Sequence, residues 1–211
     1  MRSPGDPSTW PLPEQQFKAE LDAAGIPEDT IWELVNSRYD YEQTVPITVD
    51  WLEHLDERVP VDQEEGWRTA LLRNLITKFA RGNQQAVDAV IKQFHREPTP
   101  ARRVQEAATV ALTEIATAAQ FDQVAELIRH PRFPIWRMFL IDWLGKIKTP
   151  EAIALATDLL QDPDPHARYQ AVKAIGRQKA RGVRDNVAVL LDDPDAEVRE
   201  EAAKTLAKLP D

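Results

Sequence analysis

Cysteine is absent from this chain of 211 residues, which excludes disulfides, thiolate nucleophiles and cysteine-ligated zinc or iron–sulfur sites. Glycine is scarce, and the seven glycines form neither a phosphate loop nor a dinucleotide fingerprint. No run of about 18 apolar residues occurs, so we expect no membrane span. The N-terminal stretch MRSPGDPSTWPLPEQQ lacks the apolar core of a secretory signal. We therefore expect a cytoplasmic protein.

Charge is spread unevenly along a chain of globular composition. Hydrophobic residues make up 43% and charged residues 29%, with a net charge of −9. Residues 1–66 hold 4 Lys and Arg against 16 Asp and Glu, residues 67–191 hold 19 against 12, and the last twenty hold 3 against 7. Such a distribution can steer charged partners, although ordinary solvated helix faces would also produce it.

Two stretches near the C-terminus repeat one pattern at an interval of 31 residues. LLQDPDPHARYQAVKAIG begins at Leu159 and LLDDPDAEVREEAAKTLA begins at Leu190. One interval further back, Arg137 takes the place of Arg168, which in turn corresponds to Arg199. A fixed period of this length is typical of stacked repeats, in which no single unit can bury its own apolar face.

Each unit has the apolar spacing of two helices. The first stripe comprises Ala167, Ala171, Ala174 and Ile175, and the second comprises Val183, Val187, Leu190 and Leu191. The polar connection RQKARG between them is short, which predicts antiparallel neighbours. In the DPD segments, proline ends the preceding helix, and Asp164 or Asp195 can cap the next one.

The repeated motif D-P-x-x-x-x-R-x-x-A-x-x-x-I/L-G/A occurs at residues 162–176 and 193–207. It resembles the short bacterial HEAT repeat, also called PBS-lyase HEAT-like. The match is partial at 131–145, where Leu140 replaces the alanine. The resemblance implies an all-α fold, a right-handed α–α superhelix or HEAT-like solenoid with helical caps.

We predict three regions along the chain. Residues 1–12 form a flexible tail, residues 13–62 an acidic helical N-terminal cap, and residues 63–211 the HEAT-like repeats. The predicted repeat units are 64–96, 99–129, 131–161 and 162–192, followed by a half-repeat cap at 193–209.

The repeated arginines invite a binding role, but the resemblance implies a structural one. In the resembled family this arginine supports the stack by pairing with acids of neighbouring turns. We therefore expect a ladder formed by Arg137, Arg168 and Arg199 with Asp162 and Asp193. The four histidines are dispersed and none precedes a glutamate, so we predict no metal site. We also predict no catalytic residue and no cofactor.

Trp136 and Trp143 lie seven residues apart, two helical turns, and so share one helix face. One interpretation places them in the core at a unit junction. The other makes them exposed aromatic anchors of the kind that dominate binding energy at protein interfaces.

Function is predicted only as a class. In HEAT stacks the second helix of each pair lines the concave face, and here those helices carry several acids and few basic residues. We expect a non-enzymatic adaptor or scaffold that binds a protein or peptide there. It would be a monomer or a weak homo-oligomer, and its acidic N-terminal third would face a basic partner. Candidate contacts are Glu151, Asp158, Arg184, Trp136 and Trp143.

Two alternatives remain open. The first is a nucleic-acid-binding or DNA-glycosylase-like HEAT protein, and the second is a lyase acting on a bound chromophore. The acidic second helices disfavour nucleic acid. The basic middle region keeps it open through Arg102, Arg103, Arg129, Arg132, Arg177, Lys179, Arg181 and Arg184.

Overall fold

The computed structural model describes residues 7–210. Within that range the chain forms thirteen α-helices and no strand, which confirms the all-α prediction. No helix in the described range combines the length and apolar character needed to cross a membrane. The chain divides into two compact units, the first ending at Ala116 and the second beginning at Thr117.

Unit 1 contains seven helices among its described residues. They are α1 (Leu12–Ala23), α2 (Ile31–Val35), α3 (Thr44–Glu53), α4 (Leu55–Arg58), α5 (Val61–Asn74), α6 (Gln84–Phe94) and α7 (Arg102–Ile115). Side-chain caps start two of them: Thr30 accepts from the Glu33 N–H before α2, and Asn83 accepts from the Ala86 N–H before α6. Helices α5 and α7 pack side by side, and α6 packs against α7. Helices α2 and α3 both pack on α5, and α3 also packs on α6.

An aromatic cluster ties the first helices of unit 1 to its repeat-like part. The indoles of Trp51 in α3 and Trp67 in α5 stack with centroids 5.2 Å apart. The ring of Phe17 in α1 meets both edge-on, at 5.1 and 5.6 Å. Phe17 and Trp51 are fully buried and Trp67 nearly so. Aromatic pairs in these geometries contribute beyond their buried area, so the cluster anchors α1 on α3 and α5.

Unit 2 contains the other six helices. They are α8 (Phe121–Arg129), α9 (Arg137–Leu144), α10 (Pro150–Asp158), α11 (Pro165–Gln178), α12 (Arg184–Ala188) and α13 (Ala196–Leu206). The predicted caps are confirmed. The Asp164 carboxylate accepts from the His166 N–H at 3.0 Å, and Asp195 accepts from the N–H groups of Glu197 and Val198 at 2.9 and 3.1 Å.

The first helices of successive repeats, α9, α11 and α13, pack in order, with α11 between the other two. Glycine at the end of the motif allows this close approach. A β-carbon on Gly145 would lie 3.2 Å from the Ala174 Cα, and one on Gly176 would lie 2.8 Å from the Thr205 Oγ1. The motif therefore ends in a small residue because the next helix occupies the space.

The predicted tail falls partly outside the described residues, which exclude 1–6. Pro7–Thr9 form a 3-10 turn, and the Gln15 side chain donates to the Trp10 carbonyl at 2.6 Å, so this part lies against α1. The division into a cap at 13–62 and repeats at 63–211 stays a prediction, because the compact units divide at a different place, between α7 and α8.

Candidate functional site

The arginine column makes ion pairs between successive repeats. Arg168 holds Asp193 with two hydrogen bonds, from Nε to Oδ2 at 2.7 Å and from Nη2 to Oδ1 at 2.8 Å. Its Nη1 donates to the Asp162 carbonyl at 2.8 Å. Arg137 makes the same kind of contact one repeat earlier, from Nη2 to Asp162 Oδ2 at 2.8 Å. Arg137 and Arg168 thus each pair with the aspartate 25 residues later, at the start of the next DPD segment.

The same aspartates order their own loops. Asp162 accepts from the Asp164 N–H and Asp193 accepts from the Asp195 N–H, at 2.9 and 2.8 Å. The hydrogen bonds from Arg168 lower the pKa of Asp193. Burial by itself would raise the pKa of Asp162, but the bonds from Arg137 and the Asp164 N–H outweigh it and hold that pKa low.

Arg199 completes the column but is bonded differently. Its Nη1 donates to the carbonyls of Asp193 and Pro194 at 2.6 and 3.0 Å. It makes no ion pair with any residue from 7 to 210. The geometry favours the structural role expected for this column, because Arg137 and Arg168 each pair with a carboxylate of the next repeat and also donate to backbone carbonyls.

Both tryptophans of α9 and its preceding turn are buried. Trp136 is 9% exposed and Trp143 only 1%. The Trp143 indole stacks on Phe121 of α8 with centroids 6.5 Å apart. This burial favours the core interpretation, since an anchor for a partner needs an accessible face. The exposed apolar side chains nearby are Ile135 and Phe139 instead.

The remaining candidate contacts lie on the second helices of unit 2. Glu151 and Asp158 are exposed on α10, seven residues apart and therefore on one face. Arg184 is also exposed, but its Nη1 donates to the carbonyls of Leu206 and Leu209 at 3.0 and 3.1 Å. Its guanidinium thus closes the C-terminal end of α13, a role that the repeat pattern did not suggest.

A groove in unit 1 was not singled out from the sequence. It lies between α3 and α6, has a volume of about 590 Å³, and has Pro46, Val49 and Ile91 among its apolar lining. A second groove of about 350 Å³ shares Pro46, Val49 and Gln85 with it and extends the surface past Phe79 and Asn83. The two form one continuous depression, here called the α3–α6 groove.

Acidic side chains dominate the charge of the α3–α6 groove. Asp50, Glu53 and Asp88 line the larger part and Glu42 lines the extension, against the single cation Lys92, which pairs with Glu53. Asp50 also forms an ion pair with Arg58, whose Nη2 atom lies 2.7 Å from the Asp50 Oδ2 atom. Only the three-dimensional packing reveals this groove, because its acids come from segments about 40 residues apart.

A buried arginine network in unit 1 also escaped sequence reasoning. Arg68 is 3% exposed and donates from Nη1 to the Gln93 side chain at 3.0 Å. Its Nη2 pairs with Asp56, which also accepts from Arg96 at 2.7 Å. Burial lowers the pKa of Arg68, and the charge of Arg96 acts in the same direction. The network links α4, α5 and α6, so its role is structural.

The comparisons with known proteins concern the repeats. The family model for HEAT repeats matches residues 159–211. A search of curated proteins finds no match. Among solved structures, a designed armadillo repeat protein is similar over 95% of this chain and 100% of its own, at 16% identity and a TM-score of 0.49. Residues 159–211 therefore match HEAT repeats, as the resemblance of the repeated motif implied.

Proposed function

We propose that this protein is a non-enzymatic scaffold that binds a basic polypeptide segment along the α3–α6 groove. The observation that carries the proposal is the lining of that groove, in which four carboxylates face one lysine. Stacked helical repeats present long, preformed surfaces, and such surfaces commonly bind protein partners.

The groove offers both components that a peptide site requires. Apolar patches from Val49, Ile91 and Phe79 can take the stems of long side chains, while carboxylates at the rim pair with their charged ends. Amide side chains at Asn83 and Gln85 add donors and acceptors for a peptide backbone. Lysine and arginine residues of a partner fit this combination, because each carries an apolar stem and a cationic end.

Unit 2 presents a similar charge on its own second helices. Glu151 and Asp158 are exposed on α10 and Asp185 is exposed on α12. None of the three makes an ion pair within the described part of the chain. They extend the preference for a basic partner to the α10 surface, where Glu151 and Asp158 remain the proposed contacts.

Fluorescence anisotropy with a labelled oligolysine peptide tests the proposal. We expect the wild-type chain to bind it and the triple variant Glu42→Gln, Glu53→Gln, Asp88→Asn to bind roughly tenfold more weakly. Three exposed charge pairs at about 0.3–0.5 kcal/mol each give that loss. Added salt should weaken binding further, because it screens exposed charges.

A matched control removes the same charge elsewhere in unit 1. Glu57, Asp62 and Glu65 are exposed and do not line the groove. The variant Glu57→Gln, Asp62→Asn, Glu65→Gln should bind oligolysine nearly as well as the wild type. Equal loss in both triple variants would show attraction to overall charge and would contradict a site in the groove.

A further inference from the structure

A second depression lies on another surface of unit 1, between α5 and α7. Its volume is about 350 Å³, with Arg73 contributed by α5, Ile76 by the turn after α5, and Arg103, Glu106 and Val110 by α7. It shares no lining residue with the α3–α6 groove, and it differs in sign because it contains two arginines and one glutamate. We call it the α5–α7 groove.

The two arginines are available to an incoming partner. Arg73 and Arg103 are exposed, and the guanidinium group of neither forms a hydrogen bond or ion pair with any residue between 7 and 210. Two unpaired arginines are unexpected in this unit, because it holds 12 Lys and Arg against 20 Asp and Glu. Although carboxylates are abundant in the unit, none among the described residues pairs with either guanidinium group of this groove.

Apolar side chains lie exposed beside the arginines. Ile76 is 37% and Val110 38% exposed, although both belong to the packed α5–α7 region. Ala107 lies buried at the floor of the groove. An exposed apolar patch flanked by unpaired arginines matches the composition of interface centres, where arginine is enriched and lysine is depleted.

Trp32 of α2 extends this surface along α5. Its indole is 46% exposed, and its Cη2 atom lies 3.4 Å from the place that a β-carbon on Gly66 would take. Gly66 and Arg73 are seven residues apart in α5 and so share one helix face. The half-exposed tryptophan therefore covers the same face of α5 that reaches the groove two turns later.

We propose that the α5–α7 groove is a docking site for a short acidic amphipathic segment of a partner protein. One apolar side chain of the segment packs on Ile76 and Val110, and carboxylates on either side pair with Arg73 and Arg103. Bidentate pairing with carboxylates is the chemistry that the planar guanidinium favours. This site is independent of the oligolysine-binding groove and takes a ligand of opposite charge.

The charge of the whole unit favours a short segment over a nucleic acid. A polynucleotide extends its phosphates beyond any one groove, where the surplus of carboxylates in unit 1 would repel them. A peptide with two carboxylates confines its charge to the groove. Screening at physiological salt acts over about 8 Å, so the local pair of arginines dominates for such a ligand.

The test uses the full chain and a fluorescein-labelled amphipathic helical peptide built from Leu and Glu. We expect saturable binding that falls by at least about fivefold in the double variant Arg73→Gln, Arg103→Gln, and by about threefold in Val110→Ser. A peptide with Gln in place of every Glu should bind no variant appreciably. Circular dichroism melting should show all variants folded, because the altered side chains are exposed or half-exposed.

Arg38 and Arg81 supply the matched control, since both are exposed, unpaired within residues 7–210 and absent from the lining of the groove. The variant Arg38→Gln, Arg81→Gln should change peptide affinity by less than about twofold. Equal weakening by both double variants, or no binding of the acidic peptide to the wild type, overturns the proposal. Binding of an oligothymidine that is lost in Arg73→Gln, Arg103→Gln would assign the groove to nucleic acid instead.

Discussion

At the scale of single residues, Arg168 shows how one repeated side chain connects two units. Its four hydrogen bonds reach one carboxylate in the next repeat and two carbonyls in its own loop. Arg199 keeps the contacts to the two carbonyls but lacks a carboxylate among the described residues. The pair therefore offers a natural comparison between a complete and an incomplete contact set.

Replacing Arg168 with alanine should lower the free energy of unfolding by roughly 1–3 kcal/mol, the scale of lost charge-assisted hydrogen bonds. The loss should include the cost of leaving the Asp193 carboxylate, 3% exposed, without its cation. Urea denaturation would measure it. Arg199→Ala should cost less, and a larger loss for Arg199→Ala than for Arg168→Ala would show that the ion pair is not the main contribution.

Acid should weaken unit 2 through the same aspartates. The pKa values of Asp162 and Asp193 are lowered in the folded chain, so their ionised forms stabilise it at every pH above the unfolded value of about 3.9. That stabilisation is lost as the pH falls below the unfolded value and through the lowered folded values. We expect the free energy of unfolding to decline over that range.

Urea denaturation of the Asp193→Asn variant at several pH values measures the contribution of this carboxylate. The variant should be less stable at neutral pH and should show a shallower acid dependence than the wild type. Asp185→Asn supplies the comparison, because Asp185 is exposed and makes no ion pair within the described range. An unchanged acid slope in Asp193→Asn would contradict the assignment.

At the scale of an element, α11 is followed directly by a residue whose backbone conformation suits glycine. Lys179 has a φ of 51° and a ψ of 47°, in the left-handed region. The Ala180 N–H reaches back to the Ile175 carbonyl at 3.3 Å, and the Lys179 N–H reaches that of Gly176 at 3.2 Å. This is the helix-ending arrangement in which glycine is preferred.

Lys179→Gly should therefore raise the free energy of unfolding by about 0.5–1 kcal/mol, because glycine adopts this conformation without steric cost. The gain is net of the greater freedom that glycine has in the unfolded chain. Thermal melting would detect it. Lys179→Ala retains the steric cost and should give no gain, whereas equal stabilisation by both variants would point to the lost charge.

At the scale of the whole molecule, the stacking order predicts uneven local stability in unit 2. Helix α11 lies between α9 and α13, whereas α13 packs against α11 and the α12 segment. In repeat folds the stability of a unit depends on its immediate neighbours. Hydrogen exchange followed by mass spectrometry should show slower exchange in residues 165–178 than in 196–206. Faster exchange in α11 would contradict nearest-neighbour stabilisation.

The sequence by itself determined the helical class, the period of the C-terminal repeats and the caps at Asp164 and Asp195. These features are local, because apolar spacing, proline and a capping side chain act within a few residues. They can therefore be identified from the sequence. The pairing of Arg168 with an aspartate was instead an expectation from the family resemblance, and in the structure Arg168 donates to Asp193 at 2.7 and 2.8 Å. The sequence did not decide whether Trp136 and Trp143 are buried or exposed.

Only the tertiary structure decided which surfaces exist. The α3–α6 groove collects carboxylates from helices that are distant in sequence. The α5–α7 groove contains two arginines that have no ion-pair partner within residues 7–210, and Arg184 donates to carbonyls at the end of α13. The physical reason is that a groove forms only where the faces of two helices are brought side by side. Packing between elements determines which helix faces meet. Periodicity within one helix specifies which side is buried, but not which charges from two helices will meet.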